Sequence, residues 1–477
     1  MANKLWEPNQ SQIKSTNMYR FMQFINEKQG TDFNTYDPLY QWSITNIDDF
    51  WAAMWEFAGI RSSQPYDQVV DDVTKMPGAK WFPGARLNFA ENLLRYRDDH
   101  VALVFRGEDR VSEKVTYAEL YDEVARIAKS MREVGVTAGD RIVGFIPNMP
   151  QAVFAMLAAT SIGAVWSSCS PDFGIKGVLD RFGQIRPKVL FTADGYFFKG
   201  KKIDSLGRIA DILKELPSIE KVVVVPYTET IPDISDVPNA VHYLDFRSNE
   251  DQPDIEFEQL PFDHPLYIMY SSGTTGLPKC MVQSAGGILI HQIKELMLHC
   301  NLTREDTIFY FTTCGWMMWN WLISSLSLGA RVVLFDGNPF HPDPGMLWQM
   351  AQDEKITVFG TSAGYIAALQ NAGVKPGHDF DLTPLRALLS TGSPLSVEGF
   401  EFIYDEVKKD LQLSSIAGGS DLNGCFAIGN PMLPVYAGEL QCLGLAMKVE
   451  AFDEGGNSII NQQGELVCTA PFPSMPI

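Results

Sequence analysis

TYAELYDEVARIAKSMREVGVTAGDRIVGFI, residues Thr116–Ile146, decides the fold class. Leu120, Val124, Ile127, Ala128, Met131 and Val134 recur at the 3.6-residue period of one helix face. Thr116 and Glu119 have capping-box spacing, and Gly135 supplies a terminator, so a helix is expected over Thr116 to Val134. Arg141 to Ile146 then reads as a short apolar strand. Pro150 opens a second apolar helix. The alternation recurs: Lys188 to Thr192 strand-like, Ser205 to Leu216 helix-like, Lys221 to Val225 strand-like. This order predicts an α/β fold, a largely parallel sheet covered by helices.

After a loop rich in Pro, Asp and Glu, Pro226 to Pro265, the pattern restarts with strands at Leu266 to Tyr270, Ala330 to Phe335, Thr357 to Phe359 and Arg386 to Leu389. Two helix-covered sheet subdomains are therefore expected. Glu439 to Thr469 alternates in short runs broken by Asp453-Glu454-Gly455-Gly456, a hairpin signal, so a small antiparallel β unit closes the chain. The expected division is an N-terminal extension over 1–110, a first α/β subdomain over 111–260, a second over 261–430 and the β unit over 431–477.

Composition agrees with this scale and removes several function classes. A chain of 477 residues suggests about three domains. With 45% hydrophobic and 20% charged residues it has neither a disordered nor a collagenous composition. Its longest weakly polar stretch, Val153 to Trp166, falls short of the ~20 residues that span a bilayer. The N-terminus shows no signal-peptide pattern. Seven cysteines without a CxxC pair read as a reduced, cytoplasmic protein. Seven scattered histidines give no metal-ligand spacing, and His291 and His299 are expected to flank a helix surface. Thirty-eight basic against 58 acidic residues, a net charge of -20, oppose a nucleic-acid partner. An anionic ligand would have to be held by a local feature.

That feature follows the strand Leu266 to Tyr270. Ser271, Ser272, Gly273, Thr274, Thr275, Gly276, Leu277, Pro278 and Lys279 place four hydroxyls, two glycines and a lysine in nine residues. Such a loop can wrap a polyphosphate with backbone N–H and side-chain O–H groups while the lysine adds a point charge. Its spacing fails the Walker A pattern. The nonamer resembles the phosphate-binding loop of the adenylate-forming superfamily of acyl-CoA synthetases, luciferases and peptide-synthetase adenylation domains. Trp42-Ser43, Phe50-Trp51, Trp55 and Trp81 to Asn92 look like the N-terminal extension of short-chain acyl-CoA synthetases. Trp166 to Gly174, Gly315 to Trp321 and Pro471 to Pro476 look like the acetoacetate-activating branch.

The resemblance implies roles. Ser271 to Gly276 and Lys279 would hold the ATP phosphates, with Lys279 and Ser420 in catalytic positions. Gly392-Ser393-Pro394 would lie along the adenine of ATP or AMP. Ala417-Gly418-Gly419-Ser420-Asp421 matches the family element in which Ser420 would contact the α-phosphate and Asp421 would help hold Mg²⁺. Asp421 is one methylene shorter than the usual Glu, and Ala417 replaces an aromatic that stacks on adenine in many relatives. Gly418 stands where acetate-activating relatives carry Trp, and its lack of a side chain would leave room for a longer acid. The segment Trp316 to Trp321 would line that pocket, with Trp316, Met317 and Met318 as its acyl-pocket residues, although a Trp/Met stripe by itself reads as core. For coenzyme A, Lys199-Gly200-Lys201-Lys202 is the one dense basic cluster, equally readable as a solvated charge run.

The implied reaction is acetoacetate + ATP + CoA to acetoacetyl-CoA, AMP and diphosphate, through an acyl-adenylate. The alternatives are a binding-only adenylate module and a ligase for another short-chain acid such as butyrate. The family adds a C-terminal domain bearing a catalytic lysine, and the chain ends at Ile477 before such a domain. Partial nucleotide binding and little turnover by this piece alone are expected. Oligomeric state is left open.

Overall fold

The computed structural model describes residues 3–108, 111–271 and 276–477. Two seven-stranded sheets share one plan. In the first, the strands run in the order Ala240–His242, Lys221–Val225, Val189–Ala193, Arg141–Phe145, Val165–Cys169, Pro265–Ser271 and Lys279–Ser284. Neighbours are parallel until the final antiparallel pair. In the second the order is Gln412–Ser415, Ala387–Thr391, Val358–Ser362, Thr307–Tyr310, Arg331–Asp336, Val101–Gly107 and Val111–Thr116, again with only the last pair antiparallel.

Parallel strands covered on both faces read as unbroken apolar runs, which is why Lys221–Val225 was legible from sequence alone. The opening helix forms over Tyr117–Glu133. Thr116 accepts from the Glu119 N–H and the Glu119 carboxylate accepts from the Thr116 N–H. Gly135 takes φ 79°, a left-handed stop. Helix Pro150–Ser161 follows as expected, and is buried from Ala152 to its end.

Sheet membership crosses the sequence-based boundaries at 110/111 and 260/261. Pro265–Ser271 pairs with Val165–Cys169 of the first sheet, so the phosphate-loop hairpin belongs to that sheet. Conversely, Val101–Gly107 and Val111–Thr116 form the edge of the second. Strand pairing over such distances follows face matching that local periodicity does not encode.

The N-terminal helices Asn17–Gln29, Tyr36–Thr45 and Ile47–Phe57 dock by their aromatics. Phe21, Phe50 and Trp51 are fully buried. The Tyr36 hydroxyl donates to the Leu443 carbonyl at 2.6 Å and that of Tyr40 to Met447 at 3.0 Å. Near the C-terminus, Val449–Phe452, Ser458–Ile459 and Glu465–Cys468 form the antiparallel unit. Asp453 closes its turn by accepting from the N–H groups of Gly455 and Asn457. The tail then returns to the phosphate-loop hairpin, where the Ile477 N–H donates to the Val282 carbonyl at 3.0 Å. No helix among the described residues is long and apolar enough to cross a membrane. All seven cysteines are free thiols.

Candidate active site

Open parallel sheets place ligands at the carboxyl ends of their strands. Three of the predicted elements meet at that end. The phosphate-loop hairpin joins Pro265–Ser271 to Lys279–Ser284, with Ser271 opposite Lys279 in register. Ser272, Gly273, Thr274 and Thr275 lie outside the described residues. Gly276 has φ 98°, and the Lys279 side chain is exposed.

Gly392-Ser393-Pro394 follows directly on Ala387–Thr391 and is exposed. Gly392 has φ 91°, a turn that a Cβ would strain. The Thr391 hydroxyl donates to the Ile416 carbonyl at 3.0 Å, drawing this turn against the start of the next element.

That element is a hairpin, Ala417–Gly419 with Gly424–Ile428. Its turn is tied to the phosphate-loop hairpin by side chains. The Gln283 amide donates to the Ser420 carbonyl at 3.0 Å. Asn423 is fully buried, and its Oδ1 accepts from the Tyr267 hydroxyl at 3.0 Å and from Gln292 Nε2 at 2.6 Å. Lys279 thus stands on one hairpin and Ser420 and Asp421 on the other, with internal hydrogen bonds fixing their relation. Asp421 is exposed. A single exposed carboxylate suits Mg²⁺ held largely by phosphate oxygens and water, whereas no group of three metal-ligating side chains occurs among the described residues.

At Gly418 the structure corrects the physical argument drawn from sequence. A Cβ here would lie 2.1 Å from the Gly424 carbonyl oxygen and 2.9 Å from the Cys425 Cα. The side-chain direction points at the partner strand rather than into open space. Glycine is therefore demanded first by the hairpin's own close approach.

The segment Gly315 to Trp321 divides along its length. Trp316 caps helix Met317–Ile323 and is 63% exposed, while Met317 and Met318 are each 8% exposed. Trp319 and Trp321 are wholly buried. Trp319 Nε1 donates to Asn148 Oδ1 at 2.9 Å and Trp321 Nε1 to Glu295 Oε2 at 2.8 Å. Trp316 remains exposed, whereas Met317 and Met318 pack into the same core as the two buried tryptophans. Ser168 donates to the Cys314 carbonyl at 2.6 Å, so the Trp166 to Gly174 segment packs on this one.

Lys199 and Gly200 form the turn of a hairpin, Gly195–Phe198 with Lys201–Asp204. Their N–H groups donate to the Glu108 carboxylate at 2.8 and 2.9 Å, and the Asn338 N–H donates to the same group. Lys202 pairs with Glu229. The turn extends from the carboxyl end of Val189–Ala193 and is pinned beside that of Arg331–Asp336. The side chains of Lys199 and Lys201 are exposed there.

Sequence reasoning missed the group behind the site. His291, Lys294 and Glu295 have no exposed surface, and His299 is equally buried, which corrects the expectation that His291 and His299 flank a helix surface. Glu295 accepts from the Cys425 N–H at 2.7 Å, from His291 Nε2 at 3.0 Å and from Trp321. Burial pushes the Glu295 carboxyl up, but the neighbouring His291 and Lys294 and the Cys425 N–H outweigh it and hold it at about 2. Burial pushes His291 down to about 4, with Lys294 adding to the shift. At neutral pH His291 is thus uncharged and carries its proton on Nε2, leaving buried Nδ1 as an acceptor without a partner. Lys294 Nζ donates to the Leu445 carbonyl at 3.1 Å and lies 5.7 Å from the centre of the Trp51 ring. His299 Nδ1 donates to the Gly429 carbonyl at 2.8 Å, and its Nε2 accepts from the Leu445 N–H. Polar residues at 291, 294, 295 and 299 recur at helical spacing along a largely apolar segment, the one signal that could have revealed them.

Comparison with known proteins gives the family. The description "AMP-binding enzyme" matches residues 89–474 and "Acetyl-coenzyme A synthetase N-terminus" matches residues 36–93. The chain is 47% identical to the acetoacetyl-CoA synthetase of Gallus gallus, over 99% of this chain and 72% of that protein. It is 46% identical to the acetoacetyl-coenzyme A synthetase of Rhizobium meliloti (strain 1021), with the same coverage. The solved acetoacetyl-CoA synthetase of Streptomyces lividans superposes with a TM-score of 0.94 at 43% identity, over 99% of this chain and 73% of that one. With two largely parallel seven-stranded sheets and this degree of identity along its length, the chain belongs to the AMP-binding enzyme family, among its acetoacetyl-CoA synthetases.

Proposed function

We propose that the protein is an ATP-dependent acid:CoA ligase that activates acetoacetate through an acyl-adenylate. The observation that carries this reading is the fixed relation between the phosphate-loop hairpin and the Ser420–Asp421 turn, set by Gln283, Tyr267 and Asn423. Acetoacetate is ionised at pH 7, as a carboxylic acid of pKa about 4, so its oxygen attacks the α-phosphorus without a general base. Diphosphate leaves along the phosphate loop. Alignment and charge neutralisation are then what the protein supplies.

In this reading Ser271 to Gly276 and Lys279 hold the β- and γ-phosphates, Ser420 contacts the α-phosphate and Gly392 to Pro394 flank the adenine. Asp421 would hold Mg²⁺, which supplies positive charge against the phosphates. Trp316, Met317, Met318 and the Gly418 backbone border the acid. In the second step the CoA thiol attacks the acyl carbon and AMP leaves with the bonding pair. Lys199 and Lys201, held by Glu108 through their turn, suit the CoA phosphates. The protein would work in the cytoplasm.

Acid-dependent diphosphate release by the full-length protein, measured with acetate, acetoacetate and butyrate, tests this. Acetoacetate is expected to be preferred. Preference for acetate overturns the substrate assignment, and ATP binding without release of diphosphate with any acid would favour a binding-only module.

A further inference from the structure

Acetoacetate and butyrate share four carbons and a carboxylate, and differ by one oxygen at the third carbon. That oxygen is a hydrogen-bond acceptor only, so a pocket that distinguishes the two acids needs an N–H or O–H group lacking a good partner of its own. Among the described residues of helix Met317–Ile323, Asn320 is the single amide, 5% exposed amid Met, Trp, Leu and Ile. Its Oδ1 is buried and accepts nothing. Its Nδ2 reaches only the Met269 thioether at 3.7 Å, a weak acceptor. Of the neighbouring amides, Asn148 Nδ2 donates to the Thr312 carbonyl at 3.4 Å and its Oδ1 accepts from Trp319, while Asn423 is held through Oδ1, which accepts from Tyr267 and Gln292.

A buried amide so poorly satisfied is costly and calls for a missing partner. Asn320 lines a narrow cavity with Ser168, Met269, Cys314 and Gly315. Its volume of about 10 Å³ suits one water-sized group. Asn423 Nδ2 lies 2.9 Å from the same Met269 sulfur, so one thioether separates Asn320 from the turn that carries Ser420 and Asp421.

We propose that Asn320 donates its amide N–H to the 3-oxo oxygen of the acid and thereby selects 3-oxo acids over their saturated counterparts. The proposal rests on the acetoacetate reading and gives that site its selector. Butyrate leaves the amide unsatisfied and loses by that margin, since sites built to hydrogen-bond a group reject analogues lacking it.

The test compares wild type with Asn320→Leu, which keeps the branching of the side chain and removes the amide, and Asn320→Ala, which serves if the leucine does not pack. The readout is the ratio of kcat/KM for acetoacetate to that for butyrate, with KM for ATP measured alongside. The same ratio is obtained without turnover from the affinities of the acyl-sulfamate analogues of the two adenylates. The ratio should fall about 10- to 100-fold, carried by acetoacetate, while butyrate and ATP parameters move little. Loss of both acids in proportion, or an unchanged ratio, overturns the role of Asn320. Wild-type preference for acetate overturns the acetoacetate reading instead.

Discussion

The two faces of the Ala417–Ile428 hairpin handle charge in opposite ways. On the front, Asp421 and Lys279 of the neighbouring hairpin are exposed. At the back, Lys294 and Glu295 are wholly buried, and Glu295 accepts hydrogen bonds from Cys425, Trp321 and His291. Charge left open to solvent at the front is free to meet a ligand. Charge that sets geometry is consumed internally, because an unpaired ion in the core is too costly to keep. The contrast also explains how a protein of net charge -20 can serve polyanions: a few uncommitted donors at strand ends suffice, and bulk charge does not decide.

The comparison breaks most visibly at the back. Glu295→Ala strands Lys294 without its carboxylate and leaves the Cys425 and Trp321 N–H groups unmet, so urea denaturation should show a loss of about 3–5 kcal/mol. A loss below about 1 kcal/mol would mean that the group is not structural. At the front the opposite is expected. Lys279→Ala should leave stability within about 0.5 kcal/mol of wild type yet slow diphosphate release about 100-fold or more.

The hairpin between the faces gives an intermediate effect. Gly418→Ala drives its Cβ against the Gly424 carbonyl, and thermal unfolding should report a loss of about 1–3 kcal/mol even without substrate. An unperturbed melting temperature would restore the view that Gly418 simply leaves space for the acid.

The most gradual effect is a slope. His291 titrates at about 4 when folded against an ordinary 6.5, so the unfolded chain binds the extra proton. Its contribution is present above pH 6.5 and is lost as pH falls from there through about 4, at up to about 1.4 kcal/mol per pH unit. His291→Gln should flatten that part of the stability–pH curve relative to wild type.

Local features of this chain were legible and distant ones were not. The Thr116–Glu119 cap, the Lys221–Val225 strand, the Asp453–Gly456 turn and the strand leading into the phosphate loop each depend on residues a few positions apart. The assignment of Pro265–Ser271 to the first sheet depends on a partner about a hundred positions away. His291 and His299 were misread because helix Ala285–Lys294 and its continuation are covered on every side, by Trp51 of the extension and by the Gly424–Ile428 strand among others. Trp316 to Trp321 looks uniform as a string, yet Trp316 is exposed and Met317 to Trp321 are buried.

The amino-acid sequence by itself determined the α/β class and the family, because periodicity, capping and short motifs are written within one or two turns of chain. Only the tertiary structure decided which strands share a sheet, that Gly418 is fixed by the Gly424 carbonyl, and that His291, Lys294 and Glu295 form a buried brace. These depend on which surfaces cover one another, and burial is a property of neighbours brought together by folding rather than of residues in a row.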